Sequence, residues 1–191
     1  FLYLAPSAAH EPCNNAVTPE FARGKSKAGP RGNLVWLFDW MVGQVTDALE
    51  RTGLADSTLV VVSSDNGALA GDRVMEGAQE IWRTYDHRSC GDWRGYKSHI
   101  WEGGHREPLI FRWPDKIKPG SASDELCCLT DLTATCAEIV GAKLPLGAAE
   151  DSVSILPTLT GEPNDSATDR TVIHHSLTGV FAVRRGDWKA V

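Results

Sequence analysis

A carboxylate and a carboxamide stand side by side at Asp65 and Asn66, directly after the apolar run Leu59-Val-Val-Val-Ser-Ser64 and directly before Gly67. Adjacent oxygen donors of this kind suit a hard cation such as Ca²⁺ or Mg²⁺. Further along, Arg94-Gly-Tyr-Lys97 sets two cations in an aromatic, glycine-rich stretch, and His10 follows the apolar run Phe1 to Ala5. A divalent cation with cationic side chains around one pocket fits an oxyanion ester, because positive charge and a proton donor both stabilise a departing oxygen. Phosphate and sulfate esters both qualify. Asp65-Asn66-Gly67 also has the composition of a hairpin turn. The following segment, Ala68 to Gln79, lacks the alternation of a returning strand, which favours a site.

The elements that would position these groups follow from periodicity. Leu59 to Ser64 is apolar on both faces, the pattern of a strand buried in a parallel sheet. In open α/β sheets ligands collect beyond the carboxyl ends of the strands, where Asp65 and Asn66 stand. Phe1 to Ala5, stopped by Pro6, reads as a second strand. Between the two, Asn33 can cap a helix on which Leu34, Leu37, Phe38, Met41, Val45, Ala48 and Leu49 recur at three- and four-residue steps, with Gly53 just past its end. Its Trp36, Phe38 and Trp40 read as core packing. Strands joined by a helical crossover run parallel, so His10 and Asp65 are expected at one sheet edge.

Glu11 to Gly32 reads as a surface connection. Ala68 to Glu107 reads as a lid or pocket wall, since Trp82, Trp93, Tyr96 and Trp101 argue against disorder; Asp72 within it is not expected to touch a metal. Leu109 to Trp113 is a further strand. Leu132 to Val140 is a helix capped by Thr130 or Asp131, with Cys136 on its apolar face. Thr171 to His175, Val180 to Arg184 and Asp187 to Val191 read as small antiparallel strands. The expected fold class is α/β, a mostly parallel sheet flanked by helices over residues 1–165, then the start of a small antiparallel β subdomain over 166–191.

The 191 residues suffice for one domain of ordinary size. A formal charge of −6 argues against a nucleic-acid surface, and no apolar stretch is long enough to span a bilayer. The five cysteines lack C-x-x-C spacing, which makes zinc a poor fit and leaves the redox compartment open. The chain opens and closes on apparent strands, so both ends read as cut and a targeting segment is not expected to be visible.

In order along the chain, Phe1-Leu-Tyr-Leu-Ala-Pro6 with His10-Glu-Pro12, Asp39 with Val42-Gly43, Ser64-Asp-Asn-Gly67, Arg94-Gly-Tyr-Lys97, Glu102-Gly-Gly-His-Arg-Glu-Pro108, Trp113-Pro114, Asp131-Leu132 with Thr135, Ser154-Ile-Leu-Pro157 with Leu159-Thr-Gly161, and Ala182-Val-Arg184 with Gly186-Asp-Trp-Lys189 resemble the sulfatase family, of the alkaline-phosphatase-like fold. The resemblance implies a hydrolase of sulfate esters with bound Ca²⁺, Asp65 and Asn66 matching two metal ligands. Lys97 and His10 match the residues that hold the sulfate and assist departure of the leaving oxygen. His99 and His105 flank Glu102-Gly-Gly104, where lining the substrate pocket and facing solvent are equal alternatives; His87 reads as surface, and His174 and His175 as structural, with one of them facing the pocket as the alternative. Arg94 either binds substrate or pairs with Asp92 or Glu102, and the structural ion pair is the favoured expectation.

The family's nucleophile is a formylglycine made within Cys/Ser-x-Pro-x-Arg, and no Cys or Ser here begins that pattern. The nucleophile and an Asp-Asp pair of metal ligands are therefore expected in a missing N-terminal segment, and the chain alone is expected to be inactive. A sulfated carbohydrate or small molecule is the implied substrate, and a periplasmic or secreted location the implied compartment. The alternatives are a phosphodiesterase or phosphonate hydrolase of the same fold, or a non-catalytic module that binds sulfated glycan.

Overall fold

A computed structural model describes residues 1–69, 78–165 and 169–191. Asp72, the adjoining part of the expected lid, and the boundary expected at residue 166 lie outside the described residues. The chain divides into two compact units, residues 1–55 with 62–109, and residues 56–61 with 110–191. No helix among the described residues is long and apolar enough to cross a membrane.

In the first unit, helix α1 (Gly29–Arg51) carries Pro30 in its first turn, where a missing N–H costs nothing. It begins ahead of Asn33, so Asn33 is not its cap. The Asn33 side chain is buried inside the helix, and its Oδ1 accepts the Ser26 N–H at 2.9 Å. Leu34 and Leu37 form a small core with Cys13 and Ala22, against which Ala8, Ala9, Trp36 and Met41 pack. That packing fastens the segment around His10 to the helix. The aromatic stripe is not core throughout: Trp40 is 40% exposed and meets the Phe21 ring at 5.0 Å, outside the buried cluster that Leu34 and Leu37 form. The helix ends as expected at Gly53, whose φ of 71° is the left-handed geometry glycine adopts without strain.

Strand β1 (Val60–Ser63) pairs with β2 (Leu109–Arg112) in a two-stranded sheet. Ser63 Oγ donates to the Pro108 carbonyl at 2.8 Å, and Asp115 N–H to the Asp56 carbonyl at 3.2 Å. The later residue of one strand thus lies beside the earlier residue of the other, which is an antiparallel arrangement. Phe1 to Ala5 forms no strand, and Phe1 is fully exposed. An apolar run becomes a strand only when its backbone finds a partner ladder. The expected mostly parallel sheet is therefore not among the described residues, and the helix-covered faces are not either, since Val61 and Ile110 are 36% and 59% exposed.

Two short helices, α2 (Ala78–Tyr85) and α3 (Glu102–His105), interrupt the segment that composition marked as irregular. Ile81, 1% exposed, anchors α2.

The second unit contains α4 (Asp131–Ile139), α5 (Leu156–Thr160) and the antiparallel sheet of β3 (Thr171–His175), β4 (Phe181–Arg185) and β5 (Trp188–Ala190). The sheet keeps its expected place, with Ile173 opposite Val183 and Val183 opposite Ala190. Asp131 is the organising residue here. Its carboxylate is fully buried, accepts the Cys128 N–H at 2.7 Å and the Val153 N–H at 3.0 Å, and takes both terminal nitrogens of Arg170. One fork-shaped pair thereby binds the start of α4, the segment before α5 and the approach to β3.

Removing one partner of such a pair strands a buried charge. Arg170→Ala is expected to destabilise the full-length protein by about 3–5 kcal/mol, read from urea unfolding. A loss below about 1 kcal/mol would place this pair with exposed ones, which contribute little.

Candidate functional site

Three pieces of backbone in the first unit lock together. Gly67 N–H donates to the Gly104 carbonyl at 3.3 Å, Lys97 N–H to the Ala68 carbonyl at 2.8 Å, and Gly103 N–H to the Arg94 carbonyl at 2.8 Å. The contact is too close for side chains. A Cβ on Gly67 would lie 1.8 Å from the Gly103 carbonyl oxygen, and one on Gly103 would lie 2.1 Å from that of Gly95. The glycines of Ser64-Asp-Asn-Gly67, Arg94-Gly-Tyr-Lys97 and Glu102-Gly-Gly104 are therefore steric requirements, and they seat Asp65, Asn66 and Lys97 on one backbone framework.

Within that framework Asp65 is exposed and accepts no hydrogen bond and forms no ion pair among the described residues. Asn66 donates through Nδ2 to the Gly67 carbonyl at 3.2 Å, which leaves Oδ1 as its uncommitted oxygen. Lys97 is half-buried, whereas His99 and His105 are exposed. His99 lies edge-on to Tyr96, ring centroids 6.0 Å apart.

His10 belongs to the same unit but to a different segment, and no hydrogen bond or ring contact joins it to Asp65, Asn66 or Lys97 among the described residues. Its exposed ring places Nδ1 3.1 Å from the Glu11 carbonyl. A carbonyl can only accept, so Nδ1 carries the proton and Nε2 is left to face a ligand.

Arg94 differs from expectation. Its guanidinium lies over the Trp101 ring at 3.6 Å, while Asp92 pairs with Arg88 at 2.9 Å and Glu102 with Arg106 at 3.9 Å. Planar guanidinium stacks well on an indole face, and the nearby carboxylates already have closer cations.

Glu107 is the residue that spacing did not single out. Burial, and then the charge of Asp65, push its carboxyl up to about 7, and its Oε1 is enclosed without a partner. The sequence gives it no role, since it enters only as one position of Glu102-Gly-Gly-His-Arg-Glu-Pro108. Burial is the larger cause, and the smaller one places Asp65 close enough for the two carboxylates to repel, a repulsion that a hard cation on the Asp65 and Asn66 oxygens would offset. The donors fit Ca²⁺ in kind. They do not complete a shell, for no cluster of three or more His, Cys, Asp or Glu gathers among the described residues.

Two thiols are held away from nucleophilic form. Burial raises Cys90, opposed by a hydrogen bond involving the Ala68 backbone, and burial followed by the charge of Asp131 raises Cys127. A reactive cysteine needs the opposite shift.

Comparison with known proteins adds four findings. The profile of the family described as Sulfatase matches residues 1–142. An N-acetylgalactosamine-6-O-sulfatase of Bacteroides thetaiotaomicron is 34% identical over 191 residues, 100% of this chain and 36% of that protein. The steryl-sulfatase of Rattus norvegicus is 38% identical over 78% of this chain and 25% of its own length. A solved structure described in connection with the metabolism of multiple glycosaminoglycans by Bacteroides thetaiotaomicron superposes with a TM-score of 0.80 at 34% identity, covering 94% of this chain and 36% of that one. The chain spans about a third or less of the length of these relatives.

Proposed function

The chain belongs to the sulfatase family, and on that premise we propose that it forms part of a hydrolase of sulfate esters whose substrate is a sulfated carbohydrate. The observation that carries this reading is the shared framework that seats Asp65, Asn66 and Lys97 through the Gly67–Gly104 and Lys97–Ala68 backbone hydrogen bonds. The carbohydrate class is supported by likeness to an N-acetylgalactosamine-6-O-sulfatase over the whole chain, against 78% of it for a steryl-sulfatase.

In this reading Asp65 and Asn66 offer oxygens to Ca²⁺, with the remaining ligands coming from residues outside these 191. Bound there, the cation supplies positive charge to the oxygens of a sulfate group. The nucleophile, a formylglycine made from Cys or Ser, is likewise supplied from outside, because no Cys or Ser here begins the required pattern. Lys97 holds the sulfate by charge. His10 acts here as the imidazolium: its Nδ1–H stays on the Glu11 carbonyl and its second proton, on Nε2, passes to the leaving oxygen.

The test is hydrolysis of 4-nitrophenyl sulfate and 4-nitrophenyl phosphate by the full-length protein, with added Ca²⁺ and after chelation. Sulfate release that is lost on chelation and restored by Ca²⁺ is expected, with the phosphate ester turned over more slowly. Preference for the phosphate would assign a phosphoryl-transfer enzyme, and tight glycan binding without turnover a binding module.

A further inference from the structure

Beside the framework of Asp65 and Lys97 lies a recess of about 210 Å³ lined by Trp82, Arg88, Ser89, Cys90, Trp93 and Tyr96, among others. We propose that it is a subsite for a neighbouring sugar ring of a sulfated glycan, so that the protein recognises an oligosaccharide and not only the sugar that bears the reacting sulfate. This rests on the sulfate-ester reading above.

The volume is below the ~300–1,000 Å³ of pockets that enclose larger ligands, and suits one ring. The chemistry of the wall is mixed in the manner a pyranose requires, an apolar C–H face against aromatic rings and a polar rim against hydrogen-bonding groups. Trp82 and Trp93 are 50% and 48% exposed, so part of each ring stays open beside the guanidinium that lies against it. The Ser89 Oγ is enclosed without a hydrogen-bond partner, a cost that a ligand hydroxyl would remove.

Arg88 supplies the cation. Its guanidinium lies 5.6 Å from the centre of the Trp82 ring and pairs with Asp92, both side chains being well exposed at 58% and 96%. An ion pair so open to water holds its partners weakly, so an anionic substituent on the sugar can take the guanidinium from Asp92. Arg106, paired with Glu102, stands over the Trp93 ring at 4.3 Å and holds it in place.

Position supplies the link to the sulfate site. Tyr96 directly precedes Lys97. Cys90, which lines the recess, donates from Sγ to the Gly103 carbonyl at 3.4 Å, and it lies within reach of the Ala68 backbone that also holds the Lys97 N–H. The recess and the sulfate site therefore share a wall.

The probes are 4-nitrophenyl sulfate, N-acetylgalactosamine 6-sulfate, and a chondroitin 6-sulfate tetrasaccharide carrying that sugar at its non-reducing end, each with the full-length protein. The wild type is expected to favour the tetrasaccharide through KM. Trp82→Ala and Arg88→Gln should each raise KM for the tetrasaccharide roughly 10-fold, equivalent to about 1.4 kcal/mol, and leave kcat and the two smaller probes unchanged. Trp82→Phe, which keeps a ring, should recover most of the loss. Calorimetric binding of the tetrasaccharide reads the recess without turnover. Equal affinity for wild type and Arg88→Gln would overturn the subsite even if the enzyme is a sulfatase. Absence of any sulfate release, with binding still weakened in the variants, would overturn the reaction and leave the subsite standing.

Discussion

Asp65→Ala will remove most of the Ca²⁺ affinity of the full-length protein and, with it, turnover of every sulfate ester. Ca²⁺ affinity follows the number and charge of its oxygen ligands, and Asp65 is the charged member of the pair seated at the end of β1. Loss of groups that merely orient a ligand commonly costs about 10–100-fold in metal affinity, so loss of the carboxylate itself should exceed that. The effect should be specific. Asp47→Ala, on an exposed position of α1, should bind Ca²⁺ as the wild type does. Isothermal titration with Ca²⁺ distinguishes the two directly, apart from any assay of activity. An unchanged titration for Asp65→Ala would remove the metal assignment from Asp65 and Asn66.

The motifs of the site were legible because each carries a local constraint. Gly67, Gly103 and Gly104 are glycine for want of space, and this is why Ser64-Asp-Asn-Gly67 and Glu102-Gly-Gly104 stand out in the sequence. α1, α4 and the β3–β5 sheet were legible from periodicity, within a few residues at their ends. The direction of β1 against β2 was not, because an apolar strand carries no mark of its partner's orientation. Phe1 to Ala5 misled in the same way: composition fits a strand, but a ladder depends on a second backbone that composition does not describe.

Side-chain partnerships were the least legible. Arg94 stacks on Trp101 instead of pairing with Asp92 or Glu102, and those carboxylates go to Arg88 and Arg106. Sequence distance favours all of these choices about equally. Glu107 became visible only when its burial beside Asp65 was seen. The buried pair of Asp131 and Arg170 joins residues too far apart for any spacing rule.

His10→Ala will slow esters with poor leaving groups by roughly 10²–10⁴-fold, the contribution typical of a positioned general acid, while leaving activated aryl sulfates nearly untouched. A sugar alkoxide departs only with a proton in the transition state, whereas a nitrophenolate is stable enough to leave without one. The segment around His10 is held by the packing of Ala8, Ala9 and Cys13 against α1 and by the hydrogen bond from Nδ1 to the Glu11 carbonyl, so the ring is presented with Nε2 outward and the substitution removes little else. The decisive measurement is log kcat/KM against leaving-group pKa for a series of sulfate esters, with wild type and His10→Ala compared at constant Ca²⁺. With His10 as the acid, the line for His10→Ala falls more steeply than that for the wild type and the two converge at the most acidic phenols. Parallel lines, displaced by the same factor at every leaving group, would assign His10 to holding the sulfate and contradict its role as the acid.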